Sequence, residues 1–211
     1  EELFAVQEQQ PDARIMSGGT DLLVALRHGP QDTWPIICLE RIDELCEIDE
    51  LPDTSVSIGA AVTFGSIVRN PLLKARYPLL TQAASTVGGP AIRNMASIGG
   101  NIVTASPAAD SLPALYLLDA RLELRSAAGS RIVAIDEFIF GPRRTMLQPG
   151  EIISRIILPP AQEWSIQCFE KVGRRKSLAI AVASLAAMLR LADDNTVTEA
   201  RFAWGSVGPT V

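Results

Sequence analysis

The sequence predicts an α+β chain of two lobes, a small β–α–β lobe over residues 1–53 and a larger lobe over 54–211 with mainly antiparallel sheet. Three observations carry this. Two short apolar runs, "ARIM" at 13–16 and "WPIICL" at 34–39, flank the helical pattern "DLLVALRHG". The pattern changes at Leu51-Pro52-Asp53, after which "SVSIGAAVTF" alternates, with Val56, Ile58, Ala60, Val62 and Phe64 on one face. From residue 121 onward the chain reads almost entirely as strands separated by turn residues.

Taken in order, residues 1–9 read as the tail of a helix, 13–16 as a buried strand, and "DLLVALRHG" at 21–29 as a helix ending at Gly29-Pro30. Residues 34–39 are the second strand, "RIDEL" a turn or short helix, and "CEIDEL" a short strand. Residues 65–87 are helical in two pieces split near Pro71, with Gly88-Gly89-Pro90 as the stop. A loop follows, then a helix over 111–120. "RLELRS" and "SRIVAI" form a hairpin turning at Ala128-Gly129, and strands follow at 151–159, 165–172 and 199–207. Residues 178–192 pull two ways. Their alanine content favours helix, whereas their place between two strands, with Asp193-Asp194-Asn195 as a turn, favours a hairpin strand, and strand is predicted.

Composition narrows the function. With 211 residues the chain is long enough for a real core, and a net charge of −5 argues against nucleic acid, which needs a basic footprint. No apolar run approaches a membrane span. Cys38, Cys46 and Cys168 form no closely spaced pair, so no metal or iron–sulfur site is expected, and they read as small buried hydrophobes of a reducing cytoplasm. His28 is the only histidine, which leaves little material for His-based acid–base chemistry. Trp34, Trp164 and Trp204 read as core or lobe-interface residues. The short basic runs Arg143-Arg144 and Arg174-Arg175-Lys176 read as solvated loops. The chain opens on Glu1 and stops within "SVGPTV", which is expected of an excised piece of a longer protein.

Two Gly-Gly loops stand out, "SGGTDLL" at 17–23 and "SIGGNIVTASP" at 97–107. Glycine permits positive φ and close approach, and in the first loop, where a strand leads in and a helix leads out, the backbone N–H groups with the helix N-terminus form an anion-binding concavity. Thr20, Ser97, Asn101 and Thr104 add hydrogen-bonding side chains, and Asp110 is placed to accept from a hydroxyl. Neither loop contains lysine or the G-x-G-x-x-G spacing, so a P-loop and a Rossmann fingerprint are excluded. A diphosphate held between lobes would use both loops.

These loops, with "IRNMASIGGNIVTASPAADSLPALYLLDA", "EIISRIILP" and "FEKVGRRKSLAIA", resemble the flavin-binding subunit of the molybdenum hydroxylases, the xanthine dehydrogenase and carbon monoxide dehydrogenase medium-subunit family. The resemblance spans nearly the whole chain. It implies a two-lobe FAD-binding fold of the PCMH/vanillyl-alcohol-oxidase type, with FAD between the lobes. Its implied cofactor residues are Ser17, Gly18, Gly19, Thr20 and Asp21 in the first loop. Ser97, Ile98, Gly99, Gly100, Asn101 and Thr104 follow in the second, with Asp110, Ile153 and one of Glu170 and Lys171, of which Lys171 is chosen. Val87 stands where some members place an aromatic beside the flavin ring.

The resemblance further implies no catalytic side chain. It implies a molybdenum cofactor and [2Fe–2S] clusters in partner subunits, a molybdopterin-binding one and an iron–sulfur one, with electrons passing through FAD here to NAD or another acceptor. The family's smaller C-terminal domain is expected to be absent, and so is the cysteine-rich [4Fe–4S] insertion of some relatives, for lack of four cysteines. The alternatives are a stand-alone flavin oxidase or reductase of the same fold, and an assembly module that has lost the flavin.

Overall fold

The computed structural model describes residues 2–28, 34–175 and 178–211, so the helix stop read at Gly29-Pro30 and Lys176 of the second basic run lie outside the described residues. The chain begins with α1 (Glu2–Gln9), β1 (Arg14–Met16), α2 (Leu22–His28) and β2 (Ile36–Cys38). β1 and β2 pair in parallel, as a β–α–β unit requires. A 3₁₀ turn (Asp43–Leu45) leads into β3 (Ile48–Glu50), which pairs antiparallel with β4 (Val56–Gly59). The lobe break read at Asp53 therefore falls inside a hairpin turn, and β3 belongs to the sheet of the second lobe.

The expected strand over 55–64 is shorter than its alternation suggests. β4 stops at Gly59, where a Cβ would collide with the Leu45 carbonyl, and Thr63 already caps the next helix. Both faces of β4 are buried, so the alternation reflects small residues under packed layers rather than a solvent face. The helical stretch then splits into three, α3 (Phe64–Arg69), α4 (Pro71–Arg76) and α5 (Pro78–Thr86), not two. Pro71 and Pro78 each occupy a first helical turn, where the missing N–H costs nothing, and Asn70 caps α4 through Leu73 N at 3.0 Å.

The 88–110 segment, expected as a loop, holds α6 (Pro90–Arg93) and α7 (Ile98–Thr104), followed by α8 (Ser111–Leu117). β5 (Arg121–Ser126) and β6 (Gly129–Ala134) form the expected hairpin. A short helix α9 (Ile135–Phe138) and the small strands β7 (Ile139–Gly141) and β8 (Arg144–Thr145) were not legible in the sequence. β9 (Ile152–Leu158) is central in an antiparallel five-stranded sheet of order β3-β4-β9-β5-β6. β10 (Ile166–Gly173), β11 (Ala181–Leu191) and β12 (Val197–Gly205) form a separate antiparallel sheet, which settles residues 178–192 as strand.

Three apolar clusters hold this together. The largest lies between the five-stranded sheet and the helices, with Ile58, Phe64, Ile67, Tyr77, Ile98, Ile102, Leu115, Leu122 and Ile156 buried. The second joins Leu79, Ala83, Ala114 and Leu117 of α5 and α8 to Phe169, Ala186, Met188 and Ala203 of the C-terminal sheet. The alanines of β11 thus serve close helix-on-sheet packing, and tertiary context overrides their helix propensity. The third docks the first lobe through Leu39 and Leu45 onto Ala61 and Ile152.

Two side-chain readings are corrected. Cys38 and Cys46 are exposed rather than buried. Trp204 is 52% exposed on the outer face of the C-terminal sheet. Trp164 carries the Arg190 guanidinium over its ring at 4.7 Å, and Trp34 that of Arg14 at 5.0 Å.

Truncating the central strand tests the assignment of the core. Ile156→Ala is expected to cost about 2–5 kcal/mol of unfolding free energy in a urea titration. Ile132→Ala, on edge strand β6 where Ile132 is 58% exposed, is expected to cost under about 0.5 kcal/mol.

Candidate functional site

The two glycine loops meet in space. The first turns from β1 into α2, and the α-carbon of Gly18 rests directly on the main chain of Met95 and Ala96, which leads into the second. A Cβ at Gly18 would overlap the Met95 carbonyl, so only glycine lets the loops touch. Gly19 has φ +69°, the left-handed region that glycine adopts without penalty. The amides of Gly18, Gly19, Thr20 and Asp21 have no hydrogen-bond acceptor among the described residues.

The second loop is built differently. It is the first turn of α7, capped by Ser97, whose Oγ accepts from Gly100 N at 3.2 Å. The Ile98 and Gly99 amides donate to Val62 O at 3.0 Å and Ala60 O at 2.9 Å, and Asn101 N donates to Ser97 O. Its amides are already engaged, so the backbone concavity read for the first loop has no counterpart here. Gly99 is required by packing, since its Cβ would lie 2.6 Å from that of Ala60. Gly100 faces outward and leaves an open surface.

Between the loops lies a cleft of about 760 Å³, within the range of small-molecule sites. Of the residues singled out from sequence, Ser17, Gly18, Gly19, Thr20, Asp21, Ser97, Gly99, Gly100, Asn101, Thr104, Asp110, Ile153 and Lys171 all line it, as does Val87. Ile98 does not. Its side chain is fully buried in the core and its amide is engaged. Glu170 is exposed and lies on the other face of β10 from Lys171. Asn101 Oδ1 already accepts from the buried Ser111 hydroxyl at 2.6 Å, which ties α7 to α8. Residues the sequence reading did not place here include Leu39, Glu151 and Arg143. Leu39 lacks a motif, Glu151 opens the "EIISRIILP" stretch without a role of its own there, and Arg143 was legible only as half of a basic pair.

At one wall Lys171 Nζ donates to Asp110 Oδ2 at 2.6 Å and to Thr86 O at 3.1 Å, with both charged side chains buried. Asp110 precedes α8 without capping it, and its carboxylate turns to β10 instead. Burial pushes its pKa above the usual carboxylate range, and the Lys171 hydrogen bond opposes this. Four buried side-chain oxygens have no hydrogen-bond partner among the described residues, Gln7 Oε1, Ser17 Oγ, Asp110 Oδ1 and Ser184 Oγ. Two of them, Ser17 Oγ and Asp110 Oδ1, belong to residues that line the cleft, where a ligand could complete the bonding. Among the described residues no cluster of His, Cys, Asp or Glu is arranged to hold a metal ion, and no helix is long and apolar enough to cross a membrane.

Four unpartnered amides, the Lys171–Asp110 ion pair and apolar residues such as Val87 and Ile153 share the lining of one cleft, an arrangement suited to an anionic ligand. Comparisons with known proteins identify the family. The family model for the FAD-binding domain in molybdopterin dehydrogenase matches residues 1–161. The chain belongs to this family of FAD-binding oxidoreductase components. The model for the CO dehydrogenase flavoprotein C-terminal domain matches residues 167–211. The expectation that this domain is absent is thus corrected, because most of the C-terminal sheet falls within that match.

The xanthine dehydrogenase FAD-binding subunit of Escherichia coli O157:H7 is 34% identical over 201 residues, 95% of this chain and 68% of that protein. The structure of carbon monoxide dehydrogenase from Hydrogenophaga pseudoflava superposes with a TM-score of 0.90 at 31% identity, over 99% of this chain and 72% of its counterpart. Quinoline 2-oxidoreductase from Pseudomonas putida 86 gives 0.91 at 29% identity, with the same coverage. The two-lobe FAD fold expected from the sequence is therefore the fold of the chain.

The raised Asp110 pKa has a measurable sign. The folded chain holds this proton to higher pH than the unfolded chain does. The resulting contribution to stability is present below the ordinary carboxylate value of about 4 and is lost as pH rises through the folded value. Asp110→Asn removes it. The stability of the wild type relative to this variant is expected to fall as pH rises from about 4 toward neutral in urea titrations. A difference independent of pH would place the Asp110 titration at its unfolded value.

Proposed function

We propose that the chain holds FAD in this cleft as the electron-transfer subunit of a molybdopterin-dependent hydroxylase or dehydrogenase. It takes electrons from [2Fe–2S] clusters of an iron–sulfur partner, after a molybdopterin-binding partner has oxidised the substrate, and passes them to NAD or another acceptor. The observation that carries this reading is the concentration of unsatisfied polar groups on one cleft, Ser17 Oγ, Asp110 Oδ1 and the four amides of residues 18–21. Left unpaired, a buried group such as Ser17 Oγ or Asp110 Oδ1 costs about 1–3 kcal/mol, and a ligand carrying a diphosphate and hydroxyl groups would satisfy these and the half-exposed amides.

The isoalloxazine supplies the redox chemistry when bound. The chain's own residues bind, orient and shield. The Gly18–Asp21 amides cradle phosphate oxygens, with Thr20 adding a hydroxyl. Gly99 and Gly100 let the ligand approach the start of α7. Asp110 Oδ1 accepts from a ligand hydroxyl or N–H while its other oxygen holds Lys171. Lys171, held by Asp110 and the Thr86 carbonyl, would fix the position of the Asp110 carboxylate against the ligand. Val87 and Ile153 exclude water from the floor. The unit carrying the first loop runs to about Leu45, before β3 joins the larger sheet.

A visible spectrum of the purified chain, after FAD addition and desalting, tests the binding step. Retained flavin bands that dithionite bleaches are expected. Gly100→Asp places a carboxylate on an outward-facing position whose Cβ would meet Ser97 Oγ at 2.9 Å, a side-chain end that must shift, and no main chain, so the bands are expected to be lost while circular dichroism shows the fold kept. A Gly100→Asp chain that retains flavin would put the diphosphate elsewhere. Co-purification of molybdenum- and iron-containing subunits with the chain from its natural source tests the assembly, and flavin with neither metal would favour the stand-alone reading.

A further inference from the structure

The cleft carries six charged side chains among the described residues, Arg14, Asp21, Asp110, Arg143, Glu151 and Lys171. Four are committed elsewhere. Lys171 and Asp110 hold one another. Arg131 grips Glu151 through two hydrogen bonds of 2.8 and 2.9 Å. Arg14 lies over the Trp34 ring. Arg143 and Asp21 remain, and they contact each other only at 3.7 Å, with side-chain exposures of 71% and 52%. That separation exceeds a hydrogen bond, so the pair is loose and its charges stay available.

Arg143 is nonetheless firmly placed. Its backbone has φ +59°, which a non-glycine residue adopts only when its surroundings impose it. Its amide donates at 3.3 Å to the carbonyl of Ala105, the left-handed residue that ends α7. The main chain at 143 is therefore fixed to the end of the helix whose first turn is the second glycine loop, while the guanidinium reaches to the first loop at Asp21.

An electrostatic argument makes this position matter. A diphosphate on the Gly18–Asp21 amides would bring its negative charges beside the Asp21 carboxylate, an unfavourable approach unless a cation accompanies it. We propose that Arg143 is that cation, a cofactor-binding residue that leaves its loose contact with Asp21 to grip the diphosphate across the cleft from the amides. Arginine suits the task, because its planar fork bonds two phosphate oxygens at once. The proposal rests on the reading of this cleft as the FAD site.

The test is a titration of the flavin-free chain with three probes, FAD, ADP and riboflavin, followed by flavin fluorescence or calorimetry at two salt concentrations. Arg143→Ala is expected to weaken FAD and ADP by about 10- to 100-fold and to leave riboflavin unchanged, because riboflavin carries no phosphate. Arg143→Lys should recover part of the loss, and the salt dependence of FAD binding should be shallower for Arg143→Ala than for the wild type. Unchanged FAD affinity in Arg143→Ala overturns the proposal while leaving the cleft as the flavin site. Equal weakening of riboflavin and FAD overturns it too, since that reports a distorted cleft rather than a lost phosphate contact. A wild-type chain that binds neither FAD nor ADP overturns the underlying reading and the proposal with it. Should Arg143→Ala fail to fold, Arg143→Gln keeps a long polar side chain at the left-handed position and is read in the same way.

Discussion

The site depends on one contact, the α-carbon of Gly18 resting on the Met95–Ala96 main chain. That contact is backbone on backbone and leaves no room for a side chain. What lies beneath it is equally fixed. The Ala96–Gly99 stretch is bonded along Ala60–Phe64, through Phe64 N to Ala96 O, Ile98 N to Val62 O and Gly99 N to Ala60 O. Ala60 N in turn donates to Ser154 O of the central strand β9 at 3.0 Å. A run of main-chain contacts thus joins the middle of the five-stranded sheet to the turn of the small lobe. Each bond contributes only about 0.5–1.5 kcal/mol, but together they fix where the first loop can stand.

The two loops look alike in sequence and do different work. The first leaves its amides unpartnered, which is tolerable at the edge of a wet cleft and useful only if an anion arrives. The second engages its amides internally, and its glycines serve approach, Gly99 toward Ala60 and Gly100 toward the cleft. Charge follows the same division. The chain as a whole is acidic, yet Lys171 and Arg143 stand at the cleft, one neutralised by a buried partner and one loosely held. A ligand with a negatively charged middle suits that arrangement.

Much of this was legible in the sequence, for identifiable reasons. The β1–α2–β2 unit, the β5–β6 hairpin and the four later strands carry strong apolar patterning or turn residues. Proximity of the glycine loops was suggested by their paired form, and the cleft gathers nearly every residue named from them. The failures have physical causes. β4 ends at Gly59, where the chain runs so close to the Leu45 carbonyl that only glycine fits, and alternation cannot reveal such an approach. α7 was missed because its capping serine and two glycines resemble a loop when the capping partner is unseen. Ile98 shares a motif with cleft residues but faces the core, as a neighbour one position away on a helix must. The three-residue and two-residue strands β7 and β8 are too short to show any period.

The most direct measurement is hydrogen–deuterium exchange of the chain with and without FAD, resolved to the two loops. The amides of residues 18–21 have no partner among the described residues, whereas those of 98–101 are already bonded. FAD is therefore predicted to slow exchange strongly at 18–21 and to change 98–101 little. Bound FAD that leaves 18–21 exchanging freely would contradict the account, because the diphosphate would then lie on some other part of the chain.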